Sequence, residues 1–406
     1  MADQPLLMEG LRVLDVASFI AAPVAATVLA DFGAEVIKVE PLQGDSYRGL
    51  ISAPGHARAP FDYHWFVDNR SKQSIALDLK AEAGWQALAR LVEKADVFIT
   101  NYPYDVRTRL KLRYEDIAPL NERLIYASLT AYGESGPERS RPGFDSTAWW
   151  ARTGMMDMLK PDPAGAPARS LPGMGDHPTG MSLLAAIMMG LYRRDRTGKG
   201  GHVSTSLMSN GLWSNAFYAQ AALAGVEVPR RPPQHQAPNA MANHYQCSDG
   251  RWFILALLNE DLQWPVFTRA IGREDLTDDP RFATTPARHE NGPALAAELI
   301  AVFSQRDWPY WRQVFNENRL TFGNVSLMED LLEDEQMRES GALVPVAGDN
   351  PPCELTIDSP VRIDGEVKRP PAGAPALGAD SEAVLRGAGY SDDEIRKLIE
   401  AGTVRT

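Results

Sequence analysis

Apolar residues recur along this chain with two periods, and through the N-terminal half the two alternate. Leu11 to Asp15 predicts a short buried strand, Pro23 to Phe32 carries helical spacing, and Glu35 to Glu40 predicts a second strand. The alternation continues with a strand over 74–78, a helix over 81–94, and strands over 96–100 and 124–129. Such an order predicts a mostly parallel sheet with helices on both faces. Downstream of Gly180, the residues Leu183, Leu184, Ile187, Met188 and Leu191 fall at helical spacing, so a long helix buried on a broad face is expected to start near Pro178. A basic turn over 193–201 then leads to a strand over 203–207 and an aromatic-rich helix over 210–223.

The pattern changes at Pro229-Arg230-Arg231-Pro232-Pro233, because a proline-rich stretch neither continues a helix nor sits centrally in a sheet. Beyond it, 244–247 and 252–257 predict a hairpin around Ser248-Asp249-Gly250, followed by helices through Phe303 and from Trp308 to Asn316. A helical pattern at 331–338 and an irregular return bearing Pro351-Pro352 and Pro370-Pro371 come next. Ser391-Asp392-Asp393-Glu394 reads as a capping box opening a last helix to Ala401. The expected organisation is a large α/β domain over 1–209, a linker over 210–228, a small α+β domain over 229–330, and a linker and C-terminal return over 331–406.

Composition narrows the class. The 406 residues are ample for two domains, and the 44% hydrophobic and 23% charged contents are ordinary for a water-exposed globular protein. No apolar run approaches the roughly 20 residues of a membrane span, and Met1 to Pro5 lacks the features of a secretory leader. With only Cys247 and Cys353, a reducing cytoplasm is the expected setting. The net charge of -12, with basic residues scattered, argues against nucleic acid, so an anionic ligand would need a local basic pocket. The seven histidines are dispersed and the cysteines lack ligand spacing, so no metal site is expected. Glu40 ends the second strand as in dinucleotide folds, yet Ile20-Ala21-Ala22-Pro23 replaces the glycine-rich phosphate turn, which disfavours NAD.

The sharpest local feature is Gly173-Met174-Gly175-Asp176-His177-Pro178-Thr179-Gly180. An acidic residue just before a helix is ordinarily a structural cap. Here Gly175 and Gly180 flank it and are read as leaving room for a bulky group, so Asp176 is also a candidate nucleophile, held ionised at the helix N-terminus. Asn101-Tyr102 stands where a ligand loop leaves a parallel sheet, and Asn69-Arg70-Ser71-Lys72 precedes a strand, where its basic groups either meet phosphates or stay solvated.

Together these stretches resemble the class III coenzyme A transferases, a family that includes formyl-CoA:oxalate and carnitine CoA-transferases and, as a divergent branch, α-methylacyl-CoA racemases. The likeness runs through Gly10 to Asp15, Asp31 to Glu40, Asn69 to Lys72, Ala95-Asp96-Val97 with Asn101, Gly175-Asp176, Thr197 to Gly200 and Ser248 to Arg251. The resemblance implies a Rossmann-like large domain completed by the C-terminal segment, a small domain between linkers, and an interlocked homodimer. It implies Asp176 as catalytic residue and a CoA thioester as substrate, with no permanently bound cofactor. Lys38, Asn69, Lys72, Asn101, Tyr102 and Arg109 stand at or near family positions that contact the coenzyme, and Arg141 is a nearby candidate.

Several departures are visible. Ile20 replaces a family glutamine beside the active site, and Gln234 to Met241 poorly reproduces the small domain's glycine-rich loop. The racemase branch carries a His directly before an Asp; here the pair is Phe144-Asp145, and Phe cannot move a proton, which favours transfer. A non-catalytic acyl-CoA-binding role is a further alternative. Arg48 lies where relatives shape the acyl pocket: if it faces the substrate it favours a second carboxylate, hence a donor such as succinyl-CoA, and otherwise it is a surface residue. Asp145 either positions substrate or caps the next helix, and Trp149, Trp150, Met155 and Met156 either line an apolar pocket or pack in the core.

Overall fold

The computed structural model describes residues 5–160, 164–230 and 232–406. Residues 1–4, on which the leader reading rested, and Arg231 within the predicted boundary lie outside the described residues. The chain divides into two compact units. One comprises Met1–Asp157, Ala168–Val226 and Gln336–Thr406, and the other Met158–Pro167 and Glu227–Glu335. The described residues 158–160 and 164–167, assigned by chain order to the large domain, group with the second unit.

The large unit alternates strand and helix: β1 (Arg12–Asp15), α1 (Ala21–Asp31), β2 (Glu35–Glu40), α2 (Tyr63–Asn69), β3 (Gln73–Leu77), α3 (Glu82–Val92), β4 (Val97–Thr100), α4 (Tyr104–Arg109), α5 (Tyr114–Ile117) and β5 (Ile125–Thr130). A π-helical turn (Asp145–Ala151), α6 (Met155–Met158), α7 (Asp176–Thr197), β6 (Gly201–Ser206), α8 (Leu207–Ser214) and α9 (Ala216–Leu223) follow. One seven-stranded sheet has the order β12-β3-β2-β1-β4-β5-β6, parallel throughout except for β12 (Val404–Arg405), which runs antiparallel to β3. Helices cover both faces, so strands such as Val97–Thr100 and Ile125–Thr130 are buried at every position.

In the second unit β7 (His244–Gln246), β8 (Trp252–Leu255) and β9 (Phe322–Val325) form an antiparallel sheet, with Tyr245 opposite Phe253 and the turn passing through Gly250 at φ +83°. Helices α10 (Glu260–Ala270), α11 (Thr285–Glu290), α12 (Gly292–Phe303) and α13 (Trp308–Glu317) complete it. Their aromatic rings build its core: Phe303 meets Phe253 edge-on at 4.9 Å and Trp311 at 5.0 Å. Gln234 to Met241 is pinned without glycines, since the Asn239 carboxamide accepts from the Met241 N–H and the Tyr245 hydroxyl donates to the Ala240 carbonyl.

Several boundaries differ from expectation for local reasons. The helix over 210–223 is two helices broken at Asn215, whose backbone leaves helical geometry and whose side chain donates to the Thr153 carbonyl. The pattern at 331–338 resolves into a 3-10 turn (Met328–Leu332) and α14 (Glu335–Glu339). Short strands β10 (Leu343–Pro345) and β11 (Leu355–Ile357), then α15 (Ser381–Gly387), lead to α16 (Asp392–Glu400). There the capping box forms as read, Ser391 Oγ accepting from the Glu394 N–H and the Glu394 carboxylate from the Ser391 N–H. Among the described residues no helix is long and apolar enough to cross a membrane.

Helix α7 lies against α1 through Gly180, where a methyl group would meet the Ala21 carbonyl oxygen at 2.5 Å and Val24 Cβ at 2.9 Å. Mid-helix Gly→Ala ordinarily gains about 1 kcal/mol of helix propensity, whereas an extra methyl forced into a filled contact costs about 1–3 kcal/mol. The clash is with backbone, so the second effect wins. Gly180→Ala is expected to lower the urea midpoint of the large unit, read by tryptophan fluorescence; an unchanged or raised midpoint contradicts this packing.

Candidate active site

In the large sheet β1 lies between β2 and β4, so the winding direction reverses beside it, and a crevice opens at the carboxyl ends of the strands there. The loop after β1 is stitched to the loop after β4 by Asn101, which accepts from the Ser18 N–H at 2.9 Å and donates to the Ser18 carbonyl at 2.7 Å. Phe19 is held at φ +61°, a conformation rare for a bulky residue. Its N–H donates to Asp45, and its ring packs against Tyr47 at 6.0 Å and edge-on to Phe144 at 5.5 Å. A cavity of about 570 Å³ fills the crevice, within the range of small-molecule sites. Ile20, Asn101, Tyr102, Arg141, Phe144, Asp145 and Asp176 all line it.

Asp176 is the first residue of α7, with Gly175 in the cap position, so the helix starts two residues earlier than expected. Asp176 is not its cap: among the described residues no group donates to its carboxylate. The flanking glycines do not leave space for a ligand either. A methyl on Gly175 would strike the Trp149 ring at 2.6 Å and Asp145 Cβ at 2.9 Å, so close packing already fills that volume. Asp145 braces this junction, accepting from the Gly175 N–H at 3.2 Å and from the Ser146 N–H at 2.6 Å. Trp149 and Trp150, stacked at 6.0 Å, belong to the core with Met155, and Met156 packs against it; none of the four lines the cavity.

The expectation that Asp176 is held ionised needs correction. Burial raises its pKa to about 7, the nearby charge of Asp145 pushes the same way and Asp68 adds to it, while His177 opposes them. His177 donates from Nδ1 to the Gly173 carbonyl at 3.0 Å and lies with Nε2 3.1 Å from Asp68 Oδ1. Burial would lower the imidazole pKa, but its bonds to Asp68 and Gly173 raise it to about 9.

Six predicted residues stand apart from the cavity: Gly175, packed on Trp149, and five others. Lys38 is sealed, its ammonium 3.0 Å from Asp45, 3.7 Å from Asp15 and donating to the Ala17 carbonyl at 2.7 Å. Burial would lower its pKa, but Asp15, Asp45 and Glu40 hold it above its ordinary value. Lys72 is equally enclosed, donating to Asp15, the Pro23 and Asp68 carbonyls and Asn69 Oδ1 at 2.9–3.0 Å. Burial lowers its pKa to about 8. With Asn69 fully buried, this trio organises the sheet edge and presents nothing to a ligand in this conformation. Arg48 is committed too, gripping Glu40 through two bonds of 2.7 Å and lying 3.8 Å over the Trp65 ring, which removes it as a partner for a substrate carboxylate. Arg109 is exposed at the end of α4 and does not line the cavity.

Other cavity residues escaped the sequence reading. Arg139 and Arg169 join Arg141 on the lining, Arg139 stacked over Tyr104 at 4.3 Å and Arg141 over Tyr132 at 5.3 Å. Arg141 is also ion-paired with Glu138. Phe19 and Leu50 add to the apolar side, with His56 also on the lining. The two-residue spacing of Arg139 and Arg141 beside a glycine-rich loop was the one available signal; nothing near Arg169 marked it. Among the described residues no group of three or more metal-ligating side chains is assembled.

A family model described as CoA-transferase family III matches residues 8–381. The chain is 30% identical to (R)-2-hydroxy-4-methylpentanoate CoA-transferase of Clostridioides difficile, over 98% of this chain and 100% of that protein. It is likewise 30% identical to the succinyl-CoA:glutarate CoA-transferase of Mus musculus, over 98% of this chain and 90% of that one. Among solved structures, a CAIB/BAIF family protein from Brucella suis superposes with a TM-score of 0.83 at 29% identity, covering 95% of this chain and 100% of its own.

The raised pKa of Asp176 has a consequence for stability. Between its ordinary value of 3.8 and about 7, the folded chain keeps a proton that the unfolded chain has lost, so this group's contribution is present below pH 3.8 and disappears as pH rises through 7. Asp176→Asn removes the dependence. Its melting temperature is expected to exceed the parent's increasingly from pH 4 to pH 8; parallel melting curves across that range contradict the buried-carboxylate environment.

Proposed function

This chain belongs to CoA-transferase family III and is an enzyme that transfers coenzyme A, and from that premise we propose that Asp176 carries the transfer covalently. The supporting observation is an Asp176 carboxylate that accepts no hydrogen bond among the described residues and opens into a cavity at the head of α7. In its ionised form the carboxylate attacks the donor thioester carbonyl, making a mixed anhydride and releasing CoA thiolate. The thiolate then attacks the Asp176 carbonyl, expelling the donor acid and leaving an aspartyl-CoA thioester. An acceptor carboxylate opens that thioester to a second anhydride, and the released thiolate takes up the new acyl group. The thioester is a substrate, and no step needs a resident cofactor.

The lining divides by chemistry. Arg139, Arg141 and Arg169 supply cationic groups for the coenzyme's phosphates, with Asn101 and Tyr102 beside them. Phe19, Ile20, Leu50 and Phe144 supply an apolar wall. Because Arg48 is bound to Glu40, the acyl group we infer is apolar and carries no second carboxylate. Phe144 has no proton to exchange, which weighs against racemisation at the α-carbon. A homodimer, interlocked as the family resemblance implies, is the assembly we infer, since Met189, Tyr192, Trp213, Phe217 and Leu223 are each more than 60% exposed on α7, α8 and α9.

Two experiments test this reading. After incubation with acetyl-, 4-methylpentanoyl-, cinnamoyl- or succinyl-CoA, peptide mass spectrometry is expected to find a CoA-sized adduct on the Asp176 peptide, faster with the apolar donors and absent in Asp176→Ala. Adducts from succinyl-CoA alone overturn the apolar assignment; none from any donor, with α-proton exchange instead, favours racemisation. Replacing Trp213 and Phe217 by Glu is expected to convert dimer to monomer in sedimentation velocity; an unchanged species, or a parent already monomeric, excludes that interface.

A further inference from the structure

We propose that His177 is a positioning residue, held as an imidazolium between the Gly173 carbonyl and the Asp68 carboxylate so that its fixed positive charge favours the ionised form of Asp176 and aims it at the cavity. The inference goes beyond the transfer reading, because it concerns the state of Asp176 in the absence of any donor.

The hydrogen-bond inventory fixes the charge. The Gly173 carbonyl can only accept, so Nδ1 must carry a proton. Nε2 faces Asp68 Oδ1 at 3.1 Å, while the other oxygen of that carboxylate already accepts from the Tyr47 hydroxyl at 2.7 Å. A bare Nε2 would set its lone pair against a carboxylate, so it carries a proton as well. Asp68 is 2% exposed and sits in α2, where its backbone carbonyl also receives Lys72. The imidazole is thus clamped from two elements, although its side chain is 48% exposed.

Two consequences follow for the neighbouring carboxylate. One is geometric: the Nδ1 bond closes on Gly173, which takes φ +78°, so the turn Gly173-Met174-Gly175 that delivers Asp176 is tied to α7. The other is electrostatic. Asp145 from the π-helical turn and Asp68 from α2 both disfavour a charge on Asp176, and the neighbouring imidazolium of His177 favours one. Facing the imidazole itself are Asp68 and Asp176, while Asp62 and Asp68 act on the Tyr47 hydroxyl. Arg139, Arg141 and Arg169 share the cavity with Asp176. A half-buried nucleophile beside two carboxylates is biased towards its protonated, unreactive form unless a cation offsets them.

Difference infrared titration of the protonated carboxyl band, assigned by its loss in Asp176→Asn, reads the state of Asp176 without any donor, so failure of the transfer reading does not obscure it. The parent is expected to titrate near pH 7 and His177→Gln about one unit or more higher. His177→Lys, which restores a cation without the clamp, is expected to return the midpoint towards the parent. With whichever donor forms the adduct, His177→Gln is expected to form it about tenfold more slowly at neutral pH and to recover in part at alkaline pH, the remaining loss being that of the clamp. His177→Lys is expected to stay slow throughout. In His177→Gln, an unshifted midpoint, or a loss of rate equal at every pH, overturns the proposal. Should the variants not fold, nitrogen-labelled histidine spectra of the parent decide: one of the seven imidazoles is expected to remain doubly protonated at about pH 8, and seven neutral rings there overturn it.

Discussion

Burying carboxylates at the carboxyl edge of the sheet is the constraint around which this molecule is arranged. Asp15 ends β1 with no exposure to solvent, and Lys38 from β2 and Lys72 from just before β3 close on it. Removing one member would strand a charge in a medium that cannot solvate it, which costs several kcal/mol. The pairing therefore welds the first three strands to the loop after β1. That loop carries Ser18, Phe19 and Ile20 into the cavity, so charge neutralisation in the core decides the shape of a site it never touches.

A second constraint is the closeness of α7 to its neighbours. Gly180 lets its backbone reach α1, and Gly175 lets it reach the Trp149 ring. The same compactness takes Asp176 partly out of water and sets it near Asp145, so the geometry that aims the carboxylate also disfavours its charge. Aim and ionisation are opposed here. The His177-Asp68-Tyr47 chain answers that opposition through a second buried carboxylate, which spends its negative charge on the imidazole beside Asp176.

The cavity is chemically lopsided. Guanidinium groups lie over Tyr104 and Tyr132 on the loop after β5, while Phe19 and Phe144 meet edge-to-face. A ligand with an anionic head and an apolar tail meets complementary chemistry along such a wall, in a chain whose overall charge of -12 would otherwise repel it.

By itself the sequence determined the alternation of strand and helix, the antiparallel hairpin around Gly250, the cap at Ser391 and the singular position of Asp176. These are local properties: hydrophobic period, turn chemistry and capping act within a few residues. What only the tertiary structure decided was the use of each charge. Lys38, Lys72 and Arg48 look the same in a string as Arg139, Arg141 and Arg169, yet the first three are consumed by Asp15, Asp45 and Glu40 and the others line the cavity. The glycines beside Asp176 looked like space and proved to be contact. A side chain's partner can lie tens of residues away in sequence, as Asp15 does from Lys72, or across a turn whose path the string does not show, as Glu40 does from Arg48, and its free energy as an ion depends on the water that those partners exclude, so neither can be read until the chain has closed on itself.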